Sequence, residues 1–182
     1  GIGGYFGARI AQAGNDVALV ARGSHLEAIQ ENGLFVKSST GDFHITPFTA
    51  TNSPAEVGIV DLVILGIKAW DVREASEQIR PMIGPDTGVL TLQNGVEAPT
   101  EVADVLGNDH VIVGVSPVRC FIEAPGRLKH VGGIAHSLLL GRLTITLLNE
   151  WNLSVPLFSH TKYRFRLLIT YSIINGGNLL ER

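Results

Sequence analysis

The sequence predicts a doubly wound α/β sheet, mainly because short apolar runs alternate with stretches of helical spacing. Val17–Ala21 is apolar throughout, and such runs form strands that are covered on both faces, as in parallel sheets. Asp61–Ile67, Gly88–Leu92 and His110–Val115 continue the series. Since helical patterns separate these runs, the order strand, helix, strand favours a parallel sheet with helices on both faces.

The helical patterns have recognisable starts and ends. Gly1–Gly4 precede apolar residues at helical spacing, and Gly14-Asn15 is expected to end that helix. Ser24 is expected to cap a second helix, with Glu27 at the capping-box position. Two more helices are predicted at Asp71–Ile79 and Glu97–Leu106.

Two hairpins and a change of character complete the predicted organisation. Leu34–Phe48 alternates loosely and predicts one hairpin, and Arg127–Val131 with Ser137–Leu140 predicts another. The tail is more basic and more aromatic, and we expect it to contain a helix from about Thr161. We therefore predict one domain over residues 1–145 and the start of a second, helical domain over residues 146–182.

Composition excludes several classes of protein. The 182 residues are 45% hydrophobic and 17% charged, as in folded chains, and a net charge of −3 without a basic run argues against nucleic-acid binding. No apolar stretch reaches the roughly 18 residues of a membrane span. The single cysteine and the dispersed histidines, of which His130 and His136 are the closest candidates, predict neither a disulfide nor a metal site. A reducing, cytoplasmic location fits.

The glycine-rich opening resembles part of a dinucleotide-binding fingerprint, G-x-G-x-x-G between a strand and a helix. Phe6 stands where a literal match from Gly1 needs glycine, so the better register makes Gly3 the third glycine. The first strand and two glycines would then lie upstream, and we expect the chain to be a piece, or a shortened relative, of a longer protein. The alternative is an ordinary glycine-rich start of a helix.

Arg22 stands 22 − 3 = 19 residues after Gly3, directly behind the apolar run Val17–Ala21. About 20 residues past the fingerprint, NAD-binding proteins carry an acidic residue, whereas NADP-binding proteins place an arginine nearby. A guanidinium can bind a 2′-phosphate through two hydrogen bonds. The sequence therefore predicts NADPH as the cofactor, unless Arg22 is only a solvent-facing loop residue.

Polar residues follow the next two predicted strands. Lys68 comes after Asp61–Ile67, and Asn94 comes after Gly88–Leu92. Because the carboxyl ends of parallel strands line the ligand crevice, both side chains are candidates for binding. Alternatively, Lys68 is a solvated lysine and Asn94-Gly95 is only a turn.

Four segments, in this order and spacing, resemble the ketopantoate reductase family. They are Gly-Ile-Gly-Gly-Tyr-Phe-Gly-Ala-Arg, Leu-Val-Ala-Arg-Gly-Ser-His-Leu, Ile-Lys-Ala-Trp-Asp and Leu-Thr-Leu-Gln-Asn-Gly-Val, all within residues 1–96. The resemblance implies a Rossmann-type domain without its first strand, followed by the start of an all-helical domain. It also implies NADPH-dependent reduction of ketopantoate to pantoate in pantothenate biosynthesis.

The resemblance assigns roles to particular positions. It places Gly1, Ile2 and Gly3 in the cofactor loop and Arg22 at the 2′-phosphate. It places Lys68 and Asn94 against cofactor and substrate. A backbone group of Cys120 is expected to contact the cofactor.

The tail departs from the family at one chemically important position. Arg166 aligns with the family's proton-donating lysine, and a guanidinium with a pKa above about 12 donates protons poorly. Lys162, one helical turn earlier, is a possible substitute, and Asn175 aligns with a substrate-binding asparagine.

Two other functions remain open, and one expectation concerns assembly. The chain could be a catalytically inactive NADP(H)-binding module, or an NADPH reductase of another 2-keto acid. The expected partner is a small 2-keto acid. An incomplete helical domain would expose an apolar face and favour a homo-oligomer.

Overall fold

The computed structural model describes residues 1–132, 139–142 and 167–171. The helices within these residues are α1 (Ile2–Gln12), α2 (Gly23–Asn32), α3 (Val72–Gln78) and α4 (Ala98–Leu106). The strands are β1 (Val17–Val20), β2 (Leu34–Ser38), β3 (Phe43–Ile45), β4 (Thr49–Thr51), β5 (Val60–Gly66), β6 (Ile83–Thr91), β7 (Val111–Val115), β8 (Cys120–Ala124), β9 (Arg127–His130), β10 (Leu139–Arg142) and β11 (Leu167–Tyr171).

The main sheet has seven strands in the order β10-β7-β6-β5-β11-β1-β4, and every neighbouring pair is parallel except β10 with β7. The predicted doubly wound α/β sheet is confirmed, since β1, β5, β6 and β7 contain the four apolar runs. β6 starts earlier than expected and includes Pro85. The pairing register shifts between Val60 and Leu62 at this end of β5, and such irregularities are where a strand tolerates proline.

The centre of the sheet corrects two expectations. The slot between β1 and β5, which the resemblance implied would lack a strand, is filled by β11, which pairs in parallel with both neighbours. The helix expected from about Thr161 is therefore wrong over Leu167–Tyr171. The run Leu-Leu-Ile-Thr-Tyr fits a strand as well as a helix, and strand pairing satisfies the backbone groups that β1 and β5 turn toward the slot.

A second sheet has the order β3-β2-β9-β8. The hairpin predicted over Leu34–Phe48 is confirmed, because β2 and β3 pair antiparallel. The hairpin predicted between Arg127–Val131 and Ser137–Leu140 is wrong, because β9 pairs with β2 and β8 while β10 joins β7 in the main sheet. β9 is held there by Leu128, which is completely buried, and β10 pairs the outer edge of β7.

Helix α1 lies between the two sheets. Its side chains Tyr5, Phe6 and Ile10 share a core cluster with Leu34 and Leu128 of the second sheet. Burying each such side chain stabilises the fold by about 1.5–3 kcal/mol. The N–H groups of Gly14 and Asn15 donate to the carbonyls of Ala11 and Ile10, which ends the helix as predicted. Both ends of α1 are thus fixed in position.

Helix α2 begins one residue before the predicted cap. Arg22 occupies the cap position in an extended conformation, and no side chain caps the helix. Ser24 is therefore not the cap. Gly23 has a φ of 54°, a left-handed conformation that glycine adopts readily, and it turns the chain into the helix before Ser24 is reached.

Candidate functional site

Three loops meet at the carboxyl edge of the main sheet. Arg22 follows β1, Lys68 follows β5 and Asn94 follows β6. Because these strands are parallel, the loops leave the sheet on one side, around the end of β11. Helix α1 leads into β1 through a short connection, so the N-terminus of α1 faces the same edge. The structure thus brings the predicted residues of the first 100 positions to one edge of the sheet.

The start of α1 is a tight glycine turn. The Tyr5 N–H donates to the Gly1 carbonyl at 3.1 Å, which begins the helical hydrogen bonding, and the N–H groups of a first helical turn are not used within the helix. A Cβ on Gly1 would lie 2.5 Å from the Cys120 carbonyl oxygen, a backbone atom that cannot move aside easily. Free helical N–H groups in a cradle closed to side chains fit the pyrophosphate of a dinucleotide.

Arg22 is exposed but has a defined direction. Its Nη2 donates to Gln78 Oε1 at 3.0 Å, and Gln78 Nε2 donates to Glu74 Oε1 at 2.9 Å. Behind it, the Ala21 N–H donates to the Thr51 carbonyl at 3.0 Å, which fixes the backbone at the end of β1. The guanidinium therefore lies against Gln78, the last residue of helix α3.

The loop after β5 forms a single 3-10 turn, Ala69–Asp71. Lys68 is exposed, and its Nζ lies 5.9 Å from the ring centre of Trp70, which is 79% exposed. The exposed Lys68 charge at this edge of the sheet is available to an anionic ligand.

The loop after β6 is held by a residue that the sequence analysis missed. Gln93 Nε2 donates to the carbonyls of Leu65 at 2.7 Å and Ile67 at 3.3 Å. Gln93 Oε1 accepts the Leu92 N–H at 3.1 Å. Beyond this anchor Asn94 is exposed, and Gly95 turns the chain with a φ of 99°. A polar residue directly after a buried strand is the signal that could have singled out Gln93.

The remaining predicted residues divide into two groups. Cys120 starts β8, with its backbone carbonyl beside Gly1, and burial raises the pKa of its thiol to about 11, so the thiol stays protonated at neutral pH. Lys162, Arg166 and Asn175 lie outside the described residues. The roles of all these residues remain predictions.

Within the described part of the chain, no cluster of histidine, cysteine and carboxylate side chains could hold a metal ion. Among those same residues, none of the helices has the length and apolar character that crossing a bilayer requires.

Comparison with known proteins identifies relatives of this chain. The family model for Ketopantoate reductase PanE/ApbA matches residues 1–144. A 2-dehydropantoate 2-reductase from Mesorhizobium japonicum is 37% identical over 158 residues, which cover 75% of this chain and 48% of the relative. The chain spans about half the length of the curated relatives it matches.

Solved structures are similar over the same region. The 2-dehydropantoate 2-reductase from Geobacter metallireducens GS-15 has 35% identity and a TM-score of 0.69, covering 76% of this chain and 45% of its own. A D-mandelate dehydrogenase in complex with NADH and anilino(oxo)acetate has 27% identity and a TM-score of 0.66, covering 72% of this chain and 43% of its own. The chain belongs to the ketopantoate reductase family.

Proposed function

We propose that this chain carries the nucleotide-binding part of an NADPH-dependent reductase that converts ketopantoate to pantoate, a step toward pantothenate. The observation that carries the proposal is the position of Arg22, which follows β1 at the edge of the sheet where α1 begins and whose guanidinium is held by Gln78 of α3. Relatives named 2-dehydropantoate 2-reductase support the reaction. The NADH complex of a similar dehydrogenase supports a nicotinamide cofactor.

The residues of the chain have distinct tasks in this reaction. NADPH supplies a hydride to the keto carbon when it is bound. The free N–H groups at the start of α1 bind its pyrophosphate, and Arg22 binds its 2′-phosphate. Lys68 attracts the substrate carboxylate, while the Asn94 amide orients the keto group. Because arginine donates protons poorly, Lys162 rather than Arg166 would protonate the forming alkoxide.

A second substrate is supported by one specific observation. The similar D-mandelate dehydrogenase was solved with anilino(oxo)acetate, a 2-keto acid derivative with an aromatic group. Trp70 is 79% exposed beside Lys68, so an aromatic side chain of a substrate could stack near it. A panel of 2-keto acids distinguishes this reductase from one that is selective for ketopantoate.

The test is loss of NADPH absorbance in the presence of ketopantoate, with Lys68→Ala and the matched exposed control Lys37→Ala. We expect the first variant to lower kcat/KM by about 100-fold, because it removes a charge-assisted contact, and the second to change it little. Absence of ketopantoate-dependent NADPH consumption, with NADPH still bound in calorimetry, would favour an inactive binding module instead.

A further inference from the structure

The side chain of Gln93 joins the ends of two neighbouring strands at the carboxyl edge of the main sheet. The backbone pairing of β5 with β6 ends at Leu65 and Thr91. Beyond this point, the Gln93 Nε2 donates to the carbonyls of Leu65 and Ile67. The Gln93 Oε1 accepts the Leu92 N–H. One amide group therefore connects the segment after β5 to the segment after β6.

The two connected segments lead directly into Lys68 and Asn94. Ile67, whose carbonyl accepts from the Gln93 amide, precedes Lys68 in the chain. Gln93 itself precedes Asn94. Each of the two side chains that we propose to contact the substrate is thus attached to the backbone next to this connection.

The connection lies where water competes little for its hydrogen bonds. Leu65 is completely buried, Ile67 is 8% exposed and Gln93 is half-buried. A buried carbonyl that loses its donor is left unsatisfied, which is costly. The hydrogen bonds of Gln93 therefore resist opening more strongly than the exposed bond between Arg22 and Gln78.

A 2-keto acid needs the two loops in one particular relative position. Its carboxylate and its keto group lie on adjacent carbon atoms, so Lys68 and Asn94 must both reach the same small molecule. Displacing one contacting group by about 1 Å can lower a rate by about 100-fold. The nucleotide contact proposed for Arg22 does not depend on this connection, because Gln78 of α3 holds that guanidinium.

We propose that Gln93 is a positioning residue, which holds the Lys68 and Asn94 loops in the relative position where both side chains contact one 2-keto acid. It acts on substrate binding and turnover, and nucleotide affinity is left to the separately held Arg22. This inference rests on the proposed reductase function.

The test compares kinetics and NADPH affinity of the whole chain with those of Gln93→Met, which keeps the side-chain length and removes both hydrogen-bonding groups. We expect the KM for the 2-keto acid to rise about 10-fold and kcat to fall about 3-fold, with the NADPH dissociation constant within about twofold. A variant that only folds less completely would lose active enzyme, and hence kcat, without a change in KM. The control Gln30→Met removes a bond of the same kind, to the Ala50 carbonyl at 2.9 Å, and should leave KM unchanged.

Combination with Lys68→Ala tests whether Gln93 acts through the lysine. If the single variants lower kcat/KM by about 100-fold for Lys68→Ala and about 30-fold for Gln93→Met, independent effects would multiply to about 3,000-fold. We expect the double variant to lose about 300-fold or less, because a loop without its lysine has less to misplace. A loss near the full product would overturn the inference.

Hydrogen exchange tests the connection without reference to catalysis. The Asp71 N–H donates to the Lys68 carbonyl at 3.1 Å, in the turn that follows Ile67. We expect Gln93→Met to increase the exchange rate of this amide about 10-fold, because the turn loses its attachment to β6, and Gln30→Met to leave the rate unchanged. An unchanged rate in Gln93→Met would overturn the inference.

The outcomes separate this inference from the proposed function. If the unsubstituted chain consumes no NADPH with any 2-keto acid, the proposed function fails and the inference fails with it. If turnover occurs and Gln93→Met leaves KM within about twofold, only the inference is overturned.

Should Gln93→Met not fold by circular dichroism, Gln93→Glu replaces it. Its ionised carboxylate cannot donate to the Leu65 carbonyl, whereas the protonated acid can. We therefore expect the KM of Gln93→Glu to approach that of the unsubstituted chain as the pH is lowered from about 8 to about 5.5, since burial raises the pKa of a carboxyl group. A ratio of the two KM values that does not change with pH would overturn the inference.

Discussion

The loops after β1 and β6 lie at the same edge of the sheet, but they are held in different ways. In the β1 loop, the functional side chain itself is held, because Arg22 binds Gln78 on α3. In the β6 loop, the start of the loop is held by Gln93, while the Asn94 side chain is exposed to solvent. The comparison indicates that α3 fixes the side chain that we propose to select the nucleotide. In the β6 loop only the segment before Asn94 is fixed, and the side chain that we propose to orient the substrate is exposed.

Both loops depend on β11, which lies beside the β1 strand and separates it from β5. Ile169 pairs with Leu19 on one side and Ile64 on the other. Ile169→Pro removes a backbone donor from the middle of the sheet, and we expect a loss of about 3 kcal/mol or more in the free energy of unfolding. Urea denaturation measures it, with Ile169→Val as the conservative control. Unchanged stability of the proline variant would mean that another segment fills the slot.

The two anchoring glutamines can be compared directly. Gln93→Met leaves the Leu65 and Ile67 carbonyls without their donor, and we expect a cost of about 1–3 kcal/mol. Gln78→Met breaks an exposed contact of Arg22, and we expect a cost below about 1 kcal/mol. Denaturation midpoints of the two variants provide the measurement. Equal costs would show that the two loops are anchored alike.

The smallest expected effect is a pH dependence of the free energy of unfolding, caused by His25 in the helix that follows the β1 loop. Burial lowers the pKa of His25 in α2 from 6.5 to about 4. Its Nδ1 accepts the Gly126 N–H at 3.0 Å, which requires that nitrogen to be unprotonated. Between these pH values the unfolded chain binds the proton and the folded chain does not, so stability decreases as the pH falls from 6.5 toward 4.

His25→Gln keeps an acceptor for Gly126 but does not titrate. We expect its free energy of unfolding to change less between pH 7 and pH 5 than that of the unsubstituted chain. His44→Gln, at an exposed position, is the matched control and should retain the original slope. If His25→Gln also retains that slope, another group causes the pH dependence.

The sequence was informative where local pattern and topology agree. β1 and β5 are buried apolar runs, and parallel strands place Arg22 and Lys68 at one edge without further information. β11 was missed because a short apolar run fits a helix or a strand, and only the open slot between β1 and β5 decides between them. β8 was missed because most of its residues are exposed and show no alternation.

Within the candidate site, Arg22 and its partner show the same limit of prediction from sequence. Arg22 was identified from its distance to the glycine turn. Its partner Gln78 lies 56 residues away in sequence, and neither composition nor spacing connects them. Contacts between elements, unlike the elements themselves, required the fold.

Nucleotide affinities of the unsubstituted chain and of Arg22→Ala test the central claim most directly, with the exposed Arg80→Ala as control. We expect the unsubstituted chain to bind NADPH more tightly than NADH. We expect the Arg22→Ala variant to bind NADPH about 10- to 100-fold more weakly, while its affinity for NADH changes little. Equal affinity of the unsubstituted chain for both nucleotides, or a preference that survives Arg22→Ala, would contradict it.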